Sequence, residues 1–157
     1  MITSVERVDQ GHRVVPASPE AVFAALTEGD ARAAWLPPSG MSATCEWFDA
    51  RPGGGYRMVL AYDDVSQIGK SGGNRDVVEV RFIEVEPPAR VVEAVDFVSE
   101  DDDLAGTMTL TWTVEPHPEG SSVSITARDV PPGIDPQDHE RAFASTLENL
   151  AAHLLRE

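Results

Sequence analysis

Side chains that can hold or move a proton stand among apolar neighbours at several points of the chain. His12 and Glu93 each alternate with apolar residues in segments patterned as strands, which predicts that both point inward. His139 begins a stripe of apolar residues at helical spacing, and either Tyr56 or Arg57 faces the same interior, depending on strand register. An imidazole or a carboxyl group in such a place can act as an acid or base toward a bound molecule. The alternative for each residue is a group at the rim of the core, or a core group with its hydrogen bonds satisfied.

Motifs for phosphate and metal chemistry are incomplete in this sequence. The tripeptide Gly-Lys-Ser at 69–71 matches the end of a phosphate-binding loop, but Asp64 stands where that loop needs its first glycine. Phe143 occupies the place where a zinc-protease helix beginning at His139 needs its second histidine. The single cysteine, Cys45, has apolar neighbours and is predicted to be a buried structural thiol. We therefore expect no metal and no cofactor.

The amino-acid composition disfavours some classes of binding partner. The 157 residues include 12 basic and 27 acidic side chains, and the formal net charge of −15 repels nucleic-acid phosphates and anionic membranes. No apolar run reaches the length that spans a bilayer, and the first six residues show no signal-peptide pattern. We expect a cytoplasmic protein that folds as one domain over residues 1–157 and binds neither nucleic acid nor membrane.

The elements that would position the candidate groups end in a long helix over residues 135–156. Asp135 can cap the first turn, and Pro136 suits the first helical position. A helix with one apolar face needs a surface to cover, and the strands before it supply one. The residues that share this face are His139, Phe143, Leu147, Leu150 and Leu154.

Most of the chain before this helix is patterned as short strands. The alternation is clearest around Trp112, whose side of the strand is apolar while the other side carries threonines. The predicted strands are 8–15, 42–49, 56–62, 77–85, 90–98, 104–114 and a last strand that carries Val123, Ile125 and Ala127.

Two short helices follow the first predicted strand. Ser18 caps the first, over 19–26, and the second covers 31–36 after a break at Gly29 and Asp30. This order predicts an α+β fold, in which a curved antiparallel sheet of about six or seven strands grips the C-terminal helix. Residues 63–76 are polar and glycine-rich, and we expect them to form a mobile loop that gates or flanks a cavity entrance. The three tryptophans, Trp35, Trp47 and Trp112, are expected in the core.

Four stretches of the chain, taken in order, resemble one known family. They are Ala-Ser-Pro-Glu-Ala-Val-Phe-Ala-Ala-Leu at 17–26, Trp35, Phe-Asp-Ala-Arg-Pro-Gly-Gly-Gly-Tyr-Arg at 48–57 and Val-Glu-Pro-Pro-Ala-Arg-Val-Val at 85–92. The chain is similar to homologues of the activator of heat-shock protein ATPase. That family lies within the START-like (SRPBCC) superfamily, which has the helix-grip fold of the birch pollen allergen and polyketide cyclases. The resemblance implies a sheet wrapped around the last helix, with room for a small molecule between them.

Three functions remain open at this point. The first is binding of a small hydrophobic or aromatic ligand between the sheet and the C-terminal helix. The second is a cyclase- or hydratase-like enzyme, in which His139 or a carboxylate such as Glu93 moves a proton beside a bound carbonyl. The third is a co-chaperone-like module, monomer or homodimer, that binds a chaperone or another protein through its surface. The predicted ligand-binding residues are Trp35, Tyr56, Met58, Trp112, His139, Phe143 and Leu147.

Overall fold

The computed structural model describes residues 6–156, which form one antiparallel sheet, three α-helices and a short 3₁₀-helix. The strands are β1 (Val8–Val15), β2 (Met41–Asp49), β3 (Gly55–Tyr62), β4 (Arg75–Glu86), β5 (Arg90–Phe97), β6 (Met108–His117) and β7 (Gly120–Arg128). The helices are α1 (Pro19–Leu26), α2 (Gly29–Trp35) and α3 (Pro136–Leu155). The strands lie in the order β1-β7-β6-β5-β4-β3-β2, so β1 and β2 form the two edges of the sheet. The predicted α+β fold, a curved antiparallel sheet gripping the C-terminal helix, is confirmed.

The two short helices begin at different kinds of cap. The Ser18 hydroxyl accepts the amide of Ala21 (3.2 Å) and fixes the start of α1 before Pro19. The predicted break at Gly29 and Asp30 is wrong, because α2 already begins at Gly29. The carbonyl of residue 28 accepts the amide of Arg32 (2.9 Å), so the turn closes without a side-chain cap.

Helix α3 packs its apolar face on the sheet and lies close to the edge strand β1. Asp135 caps it, with Oδ2 accepting the amide of Asp138 (3.0 Å). A Cβ placed on Gly11 of β1 would lie only 2.9 Å from Cβ of Phe143, so this approach of strand to helix requires glycine. The buried residues of α3 are Phe143, Thr146, Leu147, Leu150, Ala151 and Leu154, which confirms the predicted apolar face from Phe143 onward.

A β-bulge in β2 decides which of its aromatic residues are buried. Cys45 pairs with Met58, but Trp47 pairs with the next residue, Arg57, so an extra residue lies between them. Beyond the bulge the alternation is shifted, and Phe48 packs against the core. The prediction that Trp47 is buried is wrong, since 51% of its surface is exposed. Trp35 and Trp112 are both about 1% exposed, as predicted, and meet edge to face with ring centroids 5.5 Å apart.

The start of β6 differs from the prediction. Leu104 was expected in that strand, but it ends a 3₁₀-helix over Asp102–Leu104. Gly106 follows with φ of +99°, and the strand begins at Met108. The expectation that no signal peptide is present concerns the first six residues, of which 1–5 lie outside the described residues. Between residues 6 and 156, no helix is long and apolar enough to cross a membrane.

Candidate ligand cavity

A cavity of about 380 Å³ lies between the inward face of the sheet and the N-terminal half of α3. This volume falls in the range of small-molecule sites, and most of the wall is apolar. Apolar wall residues on four neighbouring strands, β3 to β6, and on the helix include Leu60, Val80, Val95, Leu110, Trp112 and Phe143.

A buried charged group stands on one side of this cavity. The side chains of Arg32 and Glu93 have no exposed surface, and Arg32 Nη2 donates to Glu93 Oε1. The guanidinium also donates from Nη1 to the Tyr56 hydroxyl (3.2 Å) and from Nε to the carbonyl of Leu26 (2.8 Å). Its Cζ lies 5.1 Å from the ring centroid of Trp112. We refer to Arg32, Tyr56, Glu93 and Trp112 as the Arg32 cluster.

The electrostatics of the Arg32 cluster favour a charged guanidinium on Arg32 and a neutral phenol on Tyr56. Burial opposes the charge of Arg32, but the adjacent Glu93 carboxylate outweighs it and raises the pKa of the guanidinium. Burial also raises the pKa of Tyr56 far above its ordinary value, so its phenol stays neutral. The cluster therefore combines an ionic pair with a neutral hydroxyl.

Two polar atoms of the Arg32 cluster have no hydrogen-bond partner among residues 6–156. They are the acceptor Glu93 Oε2 and the donor Trp112 Nε1, and both residues line the cavity. An unpaired buried polar atom is unfavourable by about 1–3 kcal/mol. Both atoms are buried within the Arg32 cluster and have almost no accessible surface, so they are unpaired groups beside the cavity.

A second polar group enters the wall from the first turn of α3. His139 Nδ1 lies 2.7 Å from Asp9 Oδ2, and the imidazole ring packs on Phe143 with centroids 4.3 Å apart. Arg7 holds the same carboxylate with two bonds, from Nε (3.1 Å) and Nη2 (2.8 Å). Nη2 also donates to the carbonyl of Ile134 (2.6 Å), just before the helix. We refer to Arg7, Asp9 and His139 as the His139 chain.

The pKa values of Asp9 and His139 are both lowered, but for different reasons. Burial disfavours the ionised form of Asp9, but hydrogen bonds from Arg7 and His139 outweigh it and lower the pKa of the carboxyl. Burial lowers the pKa of His139 below its ordinary value, and this effect exceeds the attraction of Asp9. At neutral pH the chain therefore contains an ionised carboxylate and a neutral imidazole.

The glycine-rich loop after β3 contributes Lys70 to the cavity wall. The Lys70 ammonium donates to Asp76 Oδ2 (3.0 Å), while its backbone amide donates to Oδ1 (2.5 Å). Lys70 Nζ also lies 5.3 Å from the ring centroid of Phe97, another wall residue. The loop thus flanks the cavity, whereas its mobility and gating remain predictions.

Residues 16–155 match the protein family described as activator of Hsp90 ATPase homolog 1-like protein. The chain belongs to this family. The predicted family resemblance is confirmed, and it covers every element from α1 to α3. The fold of this family is one that generally supports the binding of hydrophobic ligands.

Solved structures of several bacterial proteins have the same fold as this member of the Hsp90 ATPase activator homologue family. A protein from Chromobacterium violaceum is 31% identical, with a TM-score of 0.83 over 94% of this chain and 96% of that chain. The AHSA1 protein from Silicibacter pomeroyi is 24% identical, with a TM-score of 0.73 over 95% and 98% of the two chains. A protein from Arthrobacter aurescens, at 18% identity, has a TM-score of 0.80 over 96% and 87%. No curated protein matches the chain significantly.

Of the seven ligand-binding residues predicted from the sequence, four line the cavity of this protein and three do not. Those that line the cavity are Tyr56, Trp112, His139 and Phe143. Trp35, Met58 and Leu147 are fully buried but do not line it. Trp35 instead packs on Trp112 and donates from Nε1 to the carbonyl of Ala25 (3.1 Å). Whether any of the seven contacts a ligand remains a prediction.

Two of the polar candidates point away from the cavity. His12 was expected to face inward, but it is exposed and lies 2.6 Å from Ser122 Oγ. The inward face of β1 is the other one, which carries Asp9 and Gly11, because α3 packs against that side. Arg57 also points outward and pairs with Glu46 (3.2 Å) and Glu79 (2.6 Å), which leaves Tyr56 as the inward residue of that pair.

Arg32 and Asp9 were missed by the sequence analysis. Both are almost completely buried, and each pairs with a polar residue that the sequence did single out: Arg32 with Glu93, and Asp9 with His139. A signal for Arg32 was present, because a carboxylate on an apolar strand face needs a buried cation and few basic residues are available. No comparable signal existed for Asp9, since both faces of β1 carry polar residues.

Proposed function

We propose that this protein binds a small, mostly apolar molecule in the cavity between the sheet and α3. The observation that carries the proposal is the cavity of about 380 Å³ itself, which has an apolar wall and two separate polar groups. Pockets that bind small molecules combine these two features, because the apolar surface supplies affinity and the polar groups fix orientation.

The size and lining of the cavity define what kind of ligand fits. The cavity volume suits a compound of about one to three rings, and the strands contribute aliphatic and aromatic contacts. A ligand with a hydroxyl group can donate to His139 Nε2, and a ligand carbonyl can accept from the Lys70 ammonium, because both residues line the cavity. The net charge of −15 disfavours strongly anionic ligands.

One distant structural relative is associated with small-molecule biosynthesis. DynU16, a protein of the dynemicin biosynthetic locus, has a TM-score of 0.69 and 17% identity, and the match covers 94% of this chain but 47% of DynU16. At this identity the likeness concerns the fold alone. A chaperone or another protein as partner is the alternative prediction.

The test is a comparison of two variants that add the same side chain to α3. Ala142 lines the cavity, whereas Ala152 lies on the exposed side of the helix. We expect wild type and Ala152→Phe to bind the neutral fluorescent probe N-phenyl-naphthylamine with similar affinity. Ala142→Phe should bind at least about tenfold more weakly, because the new ring fills the cavity and overpacking opposes the ligand.

Thermal unfolding of each variant checks that the fold is retained, and Ala142→Leu with Ala152→Leu provides a smaller matched pair. Native mass spectrometry of the purified protein shows in addition whether a natural ligand is retained. Equal probe affinity in the two Phe variants, or no probe binding by wild type, would contradict the proposal.

A further inference from the structure

The His139 chain is built so that one ring nitrogen of His139 is fixed and the other remains available. Asp9 is ionised and can only accept hydrogen bonds, so the neutral imidazole carries its proton on Nδ1 and donates it to Asp9 Oδ2. The Nε2 lone pair then has no partner among residues 6–156, although His139 lines the cavity. A neutral imidazole oriented by a carboxylate is the arrangement of a general base.

The carboxylate that orients the imidazole is itself held in place. Arg7 binds both oxygens of Asp9 and the Ile134 carbonyl, which ties β1 to the start of α3. His139 itself lines the cavity, while its Nδ1 is engaged by Asp9. The three residues therefore position a base and stabilise the imidazolium that forms when it takes a proton.

A cation stands on the same cavity wall. Lys70 uses one ammonium hydrogen toward Asp76, which leaves two donors. Its charge is close enough to His139 to lower the pKa of the imidazole. A negative oxygen that develops on a bound molecule can be stabilised by this ammonium group.

We propose that the Asp9–His139 pair acts as a general base on carbonyl compounds bound in the cavity and catalyses their isomerisation by proton transfer. The inference rests on the proposed binding function and extends it to a reaction class. His139 Nε2 removes a proton from the carbon next to the carbonyl, so a C–H bond breaks and an N–H bond forms. The electron pair moves into a carbon–carbon double bond, and the carbonyl oxygen becomes an enolate oxygen beside Lys70. Nε2 then returns the proton to the oxygen or to another carbon of the enolate, so no oxidant, reductant or second substrate is consumed.

The test uses β-tetralone, a neutral aromatic ketone with acidic C–H groups, in deuterated buffer at neutral pH. Proton NMR measures the rate at which deuterium replaces these hydrogens, and titration of the probe gives its dissociation constant separately. We expect wild type to accelerate exchange above the buffer rate. His139→Gln should lower the protein-catalysed rate by about 10²–10⁴-fold, which is the usual contribution of a general base.

Two further variants separate positioning from structure. Asp9→Asn should slow exchange at least about tenfold with an unchanged dissociation constant, because its amide no longer stabilises an imidazolium, and Asp9→Glu should restore part of the rate. His12→Phe is the matched control, since His12 is exposed on the outer face of β1, and its rate should equal that of wild type. Thermal unfolding identifies any variant that does not fold, and His139→Phe is the substitute for His139→Gln in that case.

The outcomes distinguish this inference from the binding function. Binding of β-tetralone without catalysed exchange would overturn the general-base inference and leave the binding function standing. Exchange that survives in both His139 variants would overturn it as well. If β-tetralone does not bind while the naphthylamine probe does, the carbonyl substrate class is wrong.

Discussion

Arg32 of α2 and Glu93 of β5 lie 61 residues apart in the sequence and form an ion pair with no exposed side-chain surface. The pair joins the helices after β1 to the middle of the sheet. Removing two charges from water is costly, and their mutual attraction together with extra hydrogen bonds offsets that cost. Arg32 obtains such bonds from Tyr56 and the Leu26 carbonyl, whereas Glu93 Oε2 has none among residues 6–156.

Replacing one partner of this pair should therefore destabilise the fold much more than replacing both partners. Arg32→Met leaves Glu93 buried without a cation, and we expect it to lower the free energy of unfolding by about 3–5 kcal/mol. The double variant Arg32→Met/Glu93→Leu should recover most of that loss, because no uncompensated charge remains. Urea denaturation of the two single variants and the double variant measures the coupling. Purely additive effects would show that the pair does not act as a unit.

Trp112→Ala should destabilise the fold strongly. Trp112 is about 1% exposed, packs edge to face on Trp35 and lies over the Arg32 guanidinium. Loss of a large aromatic side chain from a core is unfavourable by about 3–5 kcal/mol. The matched control is Trp47→Ala, which removes an exposed tryptophan and should have little effect. Similar denaturation midpoints for the two variants would contradict the assigned strand face.

The free energy of unfolding should decrease as the pH drops below the pKa of a free histidine. Burial holds the folded-state pKa of His139 below 6.5, so the unfolded chain binds a proton that the folded chain does not. The free energy of unfolding contributed by this group is fully present above pH 6.5 and is lost progressively as the pH falls toward the folded-state pKa.

The measurement is urea denaturation at a series of pH values between 7.5 and 5. His139→Phe, which cannot titrate, should show a smaller loss of stability over this range than wild type. An unchanged slope in His139→Phe would mean that this histidine is not held neutral by the fold.

Cys45 should react slowly with iodoacetamide. Its thiol is partly buried rather than fully buried as the sequence predicted, and Sγ donates to the Trp47 carbonyl (3.3 Å). Burial raises the pKa of the thiol above its ordinary value, which lowers the fraction of reactive thiolate. Labelling at pH 7.5 should be several-fold slower in the folded protein than in guanidinium chloride. Equal rates would show that the bulge of β2 leaves the thiol accessible.

Amide exchange should be fast throughout residues 66–75. The apolar side chains Val65, just before this segment, and Ile68, within it, are more than 80% exposed and do not anchor the loop. Its hydrogen bonds lie within the loop, such as Gly69 amide to Gly73 carbonyl (2.8 Å), or join it to the ends of β3 and β4, so they can open without disturbing the centre of the sheet. Hydrogen–deuterium exchange compares this segment with β6 and β7. Protection as strong as in those strands would exclude a mobile loop beside the cavity.

The spacing of apolar residues predicted most of the helices and strands, and capping residues at the helix starts fixed where the helices begin. Ser18 with Pro19 and Asp135 with Pro136 fixed two helix starts to the residue. The alternation around Trp112 correctly identified the buried face of β6. Errors occurred where the backbone departs from regular alternation, as at the bulge that exposes Trp47 and at the turn before Met108.

The site was predicted less completely than the fold, because its polar residues pair with partners that are distant in the sequence. His139 was placed on the correct helix face, but its partner Asp9 lies 130 residues earlier. The choice of face in β1 depends on which side α3 covers, and residues at 8–15 are too mixed in polarity to decide it. Short helices such as α2 show no clear periodicity, so nothing local distinguished Arg32 from a surface arginine.

Gly11 allows the cavity to be resized without changing any residue that lines it. The strand touches α3 at Phe143, and a methyl group at position 11 cannot fit unless the helix moves away from β1. The same helix carries His139 and Phe143 into the wall, so such a displacement would move both residues relative to the sheet. A substitution at this one strand position would therefore act as a wedge that reshapes the cavity from outside its lining.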